Sequence, residues 1–180
     1  MSTAVTPPLE QQILLAATVL VAAIYDLRYR RIPNWLTLSA LLFGVALNAS
    51  QFGWSGLATA VGGAGLAFLI YFPLYALRGM GAGDVKLMAA VGATVGAAHW
   101  FRIFLLSSIL GALCVVPLLI WKGRLRRTVG NIGFMLKELL YFRPPYLRRE
   151  ELDVHSPGAV KLPHAVMIAA GSAAFLMALR

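Results

Sequence analysis

Apolar residues in this chain fall into six runs: Ile13 to Tyr25, Trp35 to Leu47, Leu57 to Leu77, Val85 to Ala98, Ile103 to Trp121 and Leu162 to Leu179. Runs of this kind, with hardly a charge inside them, predict membrane-crossing helices rather than the one-sided helices of a soluble core. The breaks between them carry helix punctuation. Pro33-Asn34 precedes the second run, a turn from Asn48 to Gly56 the third, and the glycine-rich stretch Gly79 to Gly83 the fourth; His99, Trp100 and Arg102 mark a tight connection to the fifth. The fourth run has only 14 residues, or ~21 Å at 1.5 Å per residue, against a hydrocarbon core of ~30 Å. Either it draws on flanking residues or its aspartate end sits below the headgroups. Gly92-Ala93-Thr94-Val95-Gly96 inside it predicts close helix packing within the chain.

Composition makes the membrane reading firm. Hydrophobic residues make up 59% and charged residues 13% of the 180, and the mean hydropathy is +0.76. A soluble domain would have an apolar fraction nearer ~45–50%. The expectation is an all-α, polytopic membrane protein of about six transmembrane helices, folded as a single domain over residues 1–180. Met1 to Gln12 contains no Lys or Arg, so it lacks the basic start of a secretory signal, and the first run is expected to stay as a membrane helix. The one cysteine, Cys114, lies in an apolar run and can make neither an intrachain disulfide nor a four-cysteine zinc site.

A net charge of +9 would suggest nucleic acid in a soluble protein; here the distribution of cations says something different. Arg28, Arg30 and Arg31 follow the first run, Arg78 and Lys86 the third, and nine Lys and Arg lie in the basic connection 122–161 after the fifth. Only Arg102 and Arg180 fall on the opposite side. The bias of cations toward the cytoplasm therefore predicts both termini outside and three cytoplasmic connections. The 122–161 connection, basic and partly amphipathic, is expected to lie on the anionic lipid leaflet; nucleic acid is not an expected partner.

Both membrane-edge aspartates fall on that cytoplasmic side. Asp26 closes the first run and Asp84 opens the fourth, at the end of Gly79-Met80-Gly81-Ala82-Gly83-Asp84. Carboxyls at a bilayer boundary are costly, which makes function their default reading. Two that approach within a few ångströms in a poorly hydrated site cannot both ionise easily, so one proton is shared. The ionised member can then take a proton from water, while the protonated one polarises a peptide carbonyl and later protonates the leaving amine. This aspartic-peptidase chemistry needs no metal and no cofactor. Gly81 and Gly83 allow an extended substrate backbone to lie close beside Asp84. Each aspartate also has a plainer explanation: a helix cap for Asp84, an ion pair with Arg28 or Arg30 for Asp26. Pro33 and Asn34 fix the turn that carries Asp26, and Lys86 either orients substrate or lipid or snorkels to the surface.

Gly81-Ala82-Gly83-Asp84, with Val85-Lys86-Leu87-Met88 after it, is similar to the GxGD motif of membrane aspartyl peptidases. Tyr25-Asp26 through Arg31-Ile32-Pro33-Asn34 resembles the other aspartate motif of the type IV prepilin peptidase family, and Leu162-Pro163-His164-Ala165 resembles a late motif of that family, where an aromatic is more usual at His164. The resemblance implies that Asp26 and Asp84 cut the basic leader from prepilins or pseudopilins on the cytoplasmic side, after a glycine that precedes the pilin's hydrophobic segment. Only the resemblance implies that the membrane is the inner membrane of a bacterium, with the termini periplasmic. Larger members carry a zinc-binding cysteine insertion and also N-methylate the new terminus. Neither the insertion nor its cysteines occur here, so the chain resembles the compact branch serving tight-adherence (Flp-type) pili, and the resemblance does not carry methylation to it.

Two other readings compete. Gly53-Trp54-Ser55-Gly56 has the GxSG form of rhomboid-type serine peptidases, with His99 on the same predicted side as a base for Ser55. Alternatively, the two aspartates could relay protons or cations through a small carrier, which a reconstituted ion-flux assay would detect.

Overall fold

Glycine decides where this chain reverses. In the computed structural model, which describes residues 6–76, 80–140 and 163–179, the described residues form five helices and no strand: α1 (Leu9–Tyr29), α2 (Asn34–Ala76), α3 (Ala82–Trp121), α4 (Leu125–Leu140) and α5 (His164–Ala178). The first three are each long and apolar enough to cross a membrane. Gly79 and residues 141–161 of the basic connection lie outside the described residues.

α2 and α3 are not straight rods. Gly53 (φ 59°, ψ −138°) breaks α2 and Gly96 (φ 75°, ψ 170°) breaks α3, both in backbone conformations that a side chain would oppose. A Cβ on Gly44 would sit 2.8 Å from Thr94 Oγ1, while one on Gly63 would strike the Gly92 carbonyl. Two neighbours on α3 thus touch points on α2 that a straight helix would hold ~28 Å apart. The two arms of α2 must therefore fold back and clasp α3 between them. Similarly, the Trp100 indole N–H donates to the Met88 carbonyl at 3.1 Å, which requires α3 to double back at Gly96.

The break positions differ from the sequence expectation in an instructive way. Asn48 to Phe52, expected as a turn, is helical, because Asn48 is buried and finds partners on α1 and α3 as well as in its own helix. Its side-chain N–H groups are shared among the carbonyls of Gly44, Ala93 and Thr94, each at 3.0 Å, and its Oδ1 accepts from Gln11 Nε2 at 3.2 Å. Gln11 also donates to Gln51 Oε1 (3.0 Å), and Gln51 Nε2 in turn donates to Glu10 Oε2 (3.2 Å). His99 and Trp100, expected in a connection, are buried inside the second arm of α3.

The first arm of α3 is the axle of the fold. Leu87 through Gly96 are all buried, as suits a helix apolar on every side. Small residues let its neighbours approach: Gly92 meets the Gly63 backbone, as the glycine spacing predicts, whereas Gly62 and Gly65 meet nothing within 4 Å. Behind it, Tyr71 packs edge-on against Trp100 (6.2 Å) and Phe104 (5.9 Å), which stack on each other at 5.4 Å. α5 closes the other flank through Ala165, Ile168 and Phe175, with Gly171 pressed onto Ser107. Asp84 stands at the head of this central arm.

Candidate active site

Three helix ends converge on one small cavity. Gly81 caps α3, so Asp84 is the third residue of the helix rather than its cap. From there its carboxyl reaches back to accept the Gly81 backbone N–H, while the Asp84 N–H donates to the Gly81 carbonyl at 3.2 Å. This is the acidic half of a capping box, and it fixes the carboxyl at the helix mouth. Asp26 lies in the last turn of α1, where its main-chain carbonyl accepts the N–H of Arg30 at 3.0 Å. Arg30 holds a left-handed conformation (φ 53°, ψ 33°) that ends α1 and turns the chain back toward α3.

That turn brings Ile32 over Gly83. A Cβ at Gly83 would lie 3.1 Å from the Ile32 Cβ, so a glycine there allows the loop to seat this closely. Gly81 is less constrained: an added Cβ would only touch Asp84 Oδ2, at 3.4 Å. Asp26 and Asp84 together line a cavity of about 240 Å³ with Arg30, Arg31, Ile32, Gly81 and Gly83. Both aspartates are half-buried, and their carboxyls are within electrostatic reach of each other.

The structure thus gathers Asp26, Asp84, Gly81 and Gly83 at one place and puts three other sequence candidates beside it. Lys86 is exposed and donates its Nζ to Asn34 Oδ1 at 2.9 Å, tying the second turn of α3 to the start of α2. Pro33 and Asn34 line a neighbouring hollow of about 390 Å³ with Tyr25, Tyr29 and Arg31. They brace the loop instead of facing both aspartates.

Two contributors come from α5. The Ala165 N–H, in its first turn, donates to Asp26 Oδ2 at 3.1 Å, so the positive end of a helix meets that carboxyl. His164, beside it, stands within electrostatic reach of Asp84. The Leu-Pro-His-Ala string signalled this region in the sequence, but a main-chain donor leaves no mark of its own. Tyr71, also within electrostatic reach of Asp84, sits in a long apolar run without any local signal.

Ser55 and His99 occupy unlike surroundings. Ser55 is exposed just past the Gly53 break, with its carbonyl accepting the Thr59 hydroxyl at 2.8 Å. His99 is buried with its ring 5.5 Å from Phe175 on α5.

A sequence model of the type IV leader peptidase family matches residues 13–116, which include both aspartates and the loops that hold them. The chain belongs to that family. Among its relatives, a prepilin leader peptidase/N-methyltransferase of Aeromonas hydrophila is 37% identical over 118 residues, covering 61% of this chain and 40% of that protein. Proteins of the same name are 35% identical over 124 residues in Escherichia coli (64% and 53% covered) and 37% identical over 128 residues in Legionella pneumophila (67% and 44%). The chain therefore spans about half or less of the length of these leader peptidase relatives. No solved structure matches it. Family membership and three long apolar helices together make it a multi-pass membrane protein. The matched stretch ends within α3, so the α5 donor to Asp26 lies beyond it.

Proposed function

We propose that this chain is a membrane aspartic endopeptidase that removes the basic leader from type IV prepilins or pseudopilins, of the Flp type, at the cytoplasmic boundary of the bacterial inner membrane. The observation that carries this reading is the shared cavity of Asp26 and Asp84, carboxyls from helices distant in sequence. One carboxylate takes a proton from water as the water oxygen bonds to the scissile carbonyl carbon. The other, protonated, hydrogen-bonds the carbonyl oxygen and stabilises the tetrahedral intermediate. Collapse breaks the C–N bond, and a proton passes to the leaving nitrogen, giving a free amine on the pilin and a carboxylate on the leader. Gly81 and Gly83 keep the approach to Asp84 narrow but open.

In this reading α1, both arms of α2, both arms of α3, and α5 make six crossings with periplasmic termini. α4 lies on the anionic cytoplasmic leaflet, where the exposed Arg124 and Arg126 face lipid phosphates.

Incubating the purified protein with a panel of prepilins and reading new N-termini by mass spectrometry tests the proposal. The expected result is one cut at the end of the basic leader of Flp-type substrates, with no added methyl group. Intact leaders across the whole panel would remove the peptidase assignment. Ser55→Ala should cut within about two-fold of the wild-type rate, because an exposed serine on the second arm of α2, away from the aspartate cavity, makes no transition-state contact here. Loss of cutting in Ser55→Ala with retention in Asp84→Asn would transfer the chemistry to serine.

A further inference from the structure

Asp84 is flanked by a second hollow, unlike the first. It measures about 360 Å³, lies between the second arms of α2 and α3 and the start of α5, and is walled by Tyr71, Phe104, Gly111, Cys114, His164 and Met167, among others. Tyr71 and His164 are both within electrostatic reach of Asp84, so this groove begins beside the aspartate. Its described lining includes no Asp, Glu, Lys or Arg, whereas the cavity on the other side contains Arg30 and Arg31.

The groove also opens sideways. Cys114, on its rim, is exposed. The surrounding outer surface of α3 is apolar, with Leu105, Ile109 and Leu113 exposed by 44%, 56% and 64%. Exposed leucine and isoleucine on a helix of this length mark a lipid-facing flank. From His164 to Ile168 along α5 the groove runs ~6 Å, one helical turn.

We infer that this groove is a binding site for an apolar peptide segment, entering laterally from the bilayer, that seats the first residues next to the bond being cut. The inference rests on the peptidase reading and adds which side of the substrate goes where. A peptide crossing the aspartates meets, on one side, a slot whose described lining holds no Asp, Glu, Lys or Arg. A charged residue would lose its hydration in the slot without a partner, so only the apolar side of the substrate fits there. An acyl chain would also suit the lining, but the mouth at Asp84 aligns the groove with a chain that passes through the cleavage site.

Cys114 is the one cysteine in the chain and makes the test direct. Single cysteines are placed along a cysteine-free Flp-type prepilin, and disulfide formation with Cys114 is scored in membranes under mild oxidation. Crosslinks are expected in the apolar segment within about one helical turn of the scissile bond, and none in the basic leader. In parallel, Gly111→Leu fills the groove; a Cβ there would meet only Met167 Cγ, at 3.9 Å, so backbone need not move. It should raise KM for the full prepilin about ten-fold with kcat within about two-fold, and leave a short peptide lacking the apolar segment unaffected. Crosslinks confined to the leader, or no crosslink, would overturn the inference, as would an unchanged KM, which would leave the groove to acyl chains. Equal slowing of both substrates would overturn it too. If the wild type cuts neither substrate but the crosslink pattern holds, the peptidase reading fails while the groove assignment stands.

Discussion

Asp84→Asn and Asp26→Asn should each reduce prepilin trimming by about 10³-fold or more, the scale of losing a proton-transfer group in the transition state. Asparagine is the informative replacement. Its oxygen can still accept the Gly81 N–H at position 84 or the Ala165 N–H at position 26, so the helix ends keep their bonds while the shared proton is lost. Both variants should insert, purify and melt like the wild type. Alanine removes the acceptor as well, and at position 26 it orphans the Ala165 N–H, a further cost of about 1 kcal/mol. Activity should therefore be equally absent in the Asn and Ala variants, while thermal stability in detergent separates them. Wild-type trimming by either Asn variant would leave the cavity without its proposed chemistry.

The second large effect is expected at the centre of the bundle. A Cβ on Gly92 would strike the Gly63 carbonyl oxygen and lie 3.0 Å from the Ala64 nitrogen, main-chain atoms that cannot swing aside. Gly92→Val must push the axle of α3 away from the second arm of α2. Overpacking of this kind costs ~1–3 kcal/mol for small additions, and valine at a backbone contact belongs at or above the upper end. For a chain of this length that corresponds to a fall in melting temperature of at least ~5 °C. Activity should fall with it, because Asp84 rides on the same arm ~12 Å away. Gly62→Val is the control: nothing lies within 4 Å of a Cβ there, and its melting curve should be unchanged. Equal behaviour of the two variants would show that the Gly63–Gly92 approach is not what holds these helices together.

The aspartates were legible in the sequence because ionisable groups stand out against apolar runs, each with its own neighbours: glycines before Asp84, Arg-Ile-Pro-Asn after Asp26. The helical runs were legible for the same reason. Polar residues whose partners are tertiary were not. Asn48 reads as a turn residue, since asparagine competes for its own backbone in isolation; only the carbonyls of Ala93 and Thr94 make it a helix residue. His99 and Trp100 read as a connection because polar and aromatic residues gather at interfaces, yet Trp100 finds its acceptor at Met88, around the Gly96 reversal. The same blindness hid the α5 contribution, where the donor to Asp26 is an alanine amide.

The amides of Gln11, Asn48 and Gln51 tie α1, α2 and α3 together in the first turn of α1, ~22 Å along that helix from Asp26. The bonds of Asn48 are buried away from competing solvent, while the described contacts at the carboxyl end surround a cavity. Such a molecule is stiff at one pole and yielding at the other. Separation of the helices to admit a guest would pivot about the stiff pole, and the protein could gape and reseal without its amide knot coming undone.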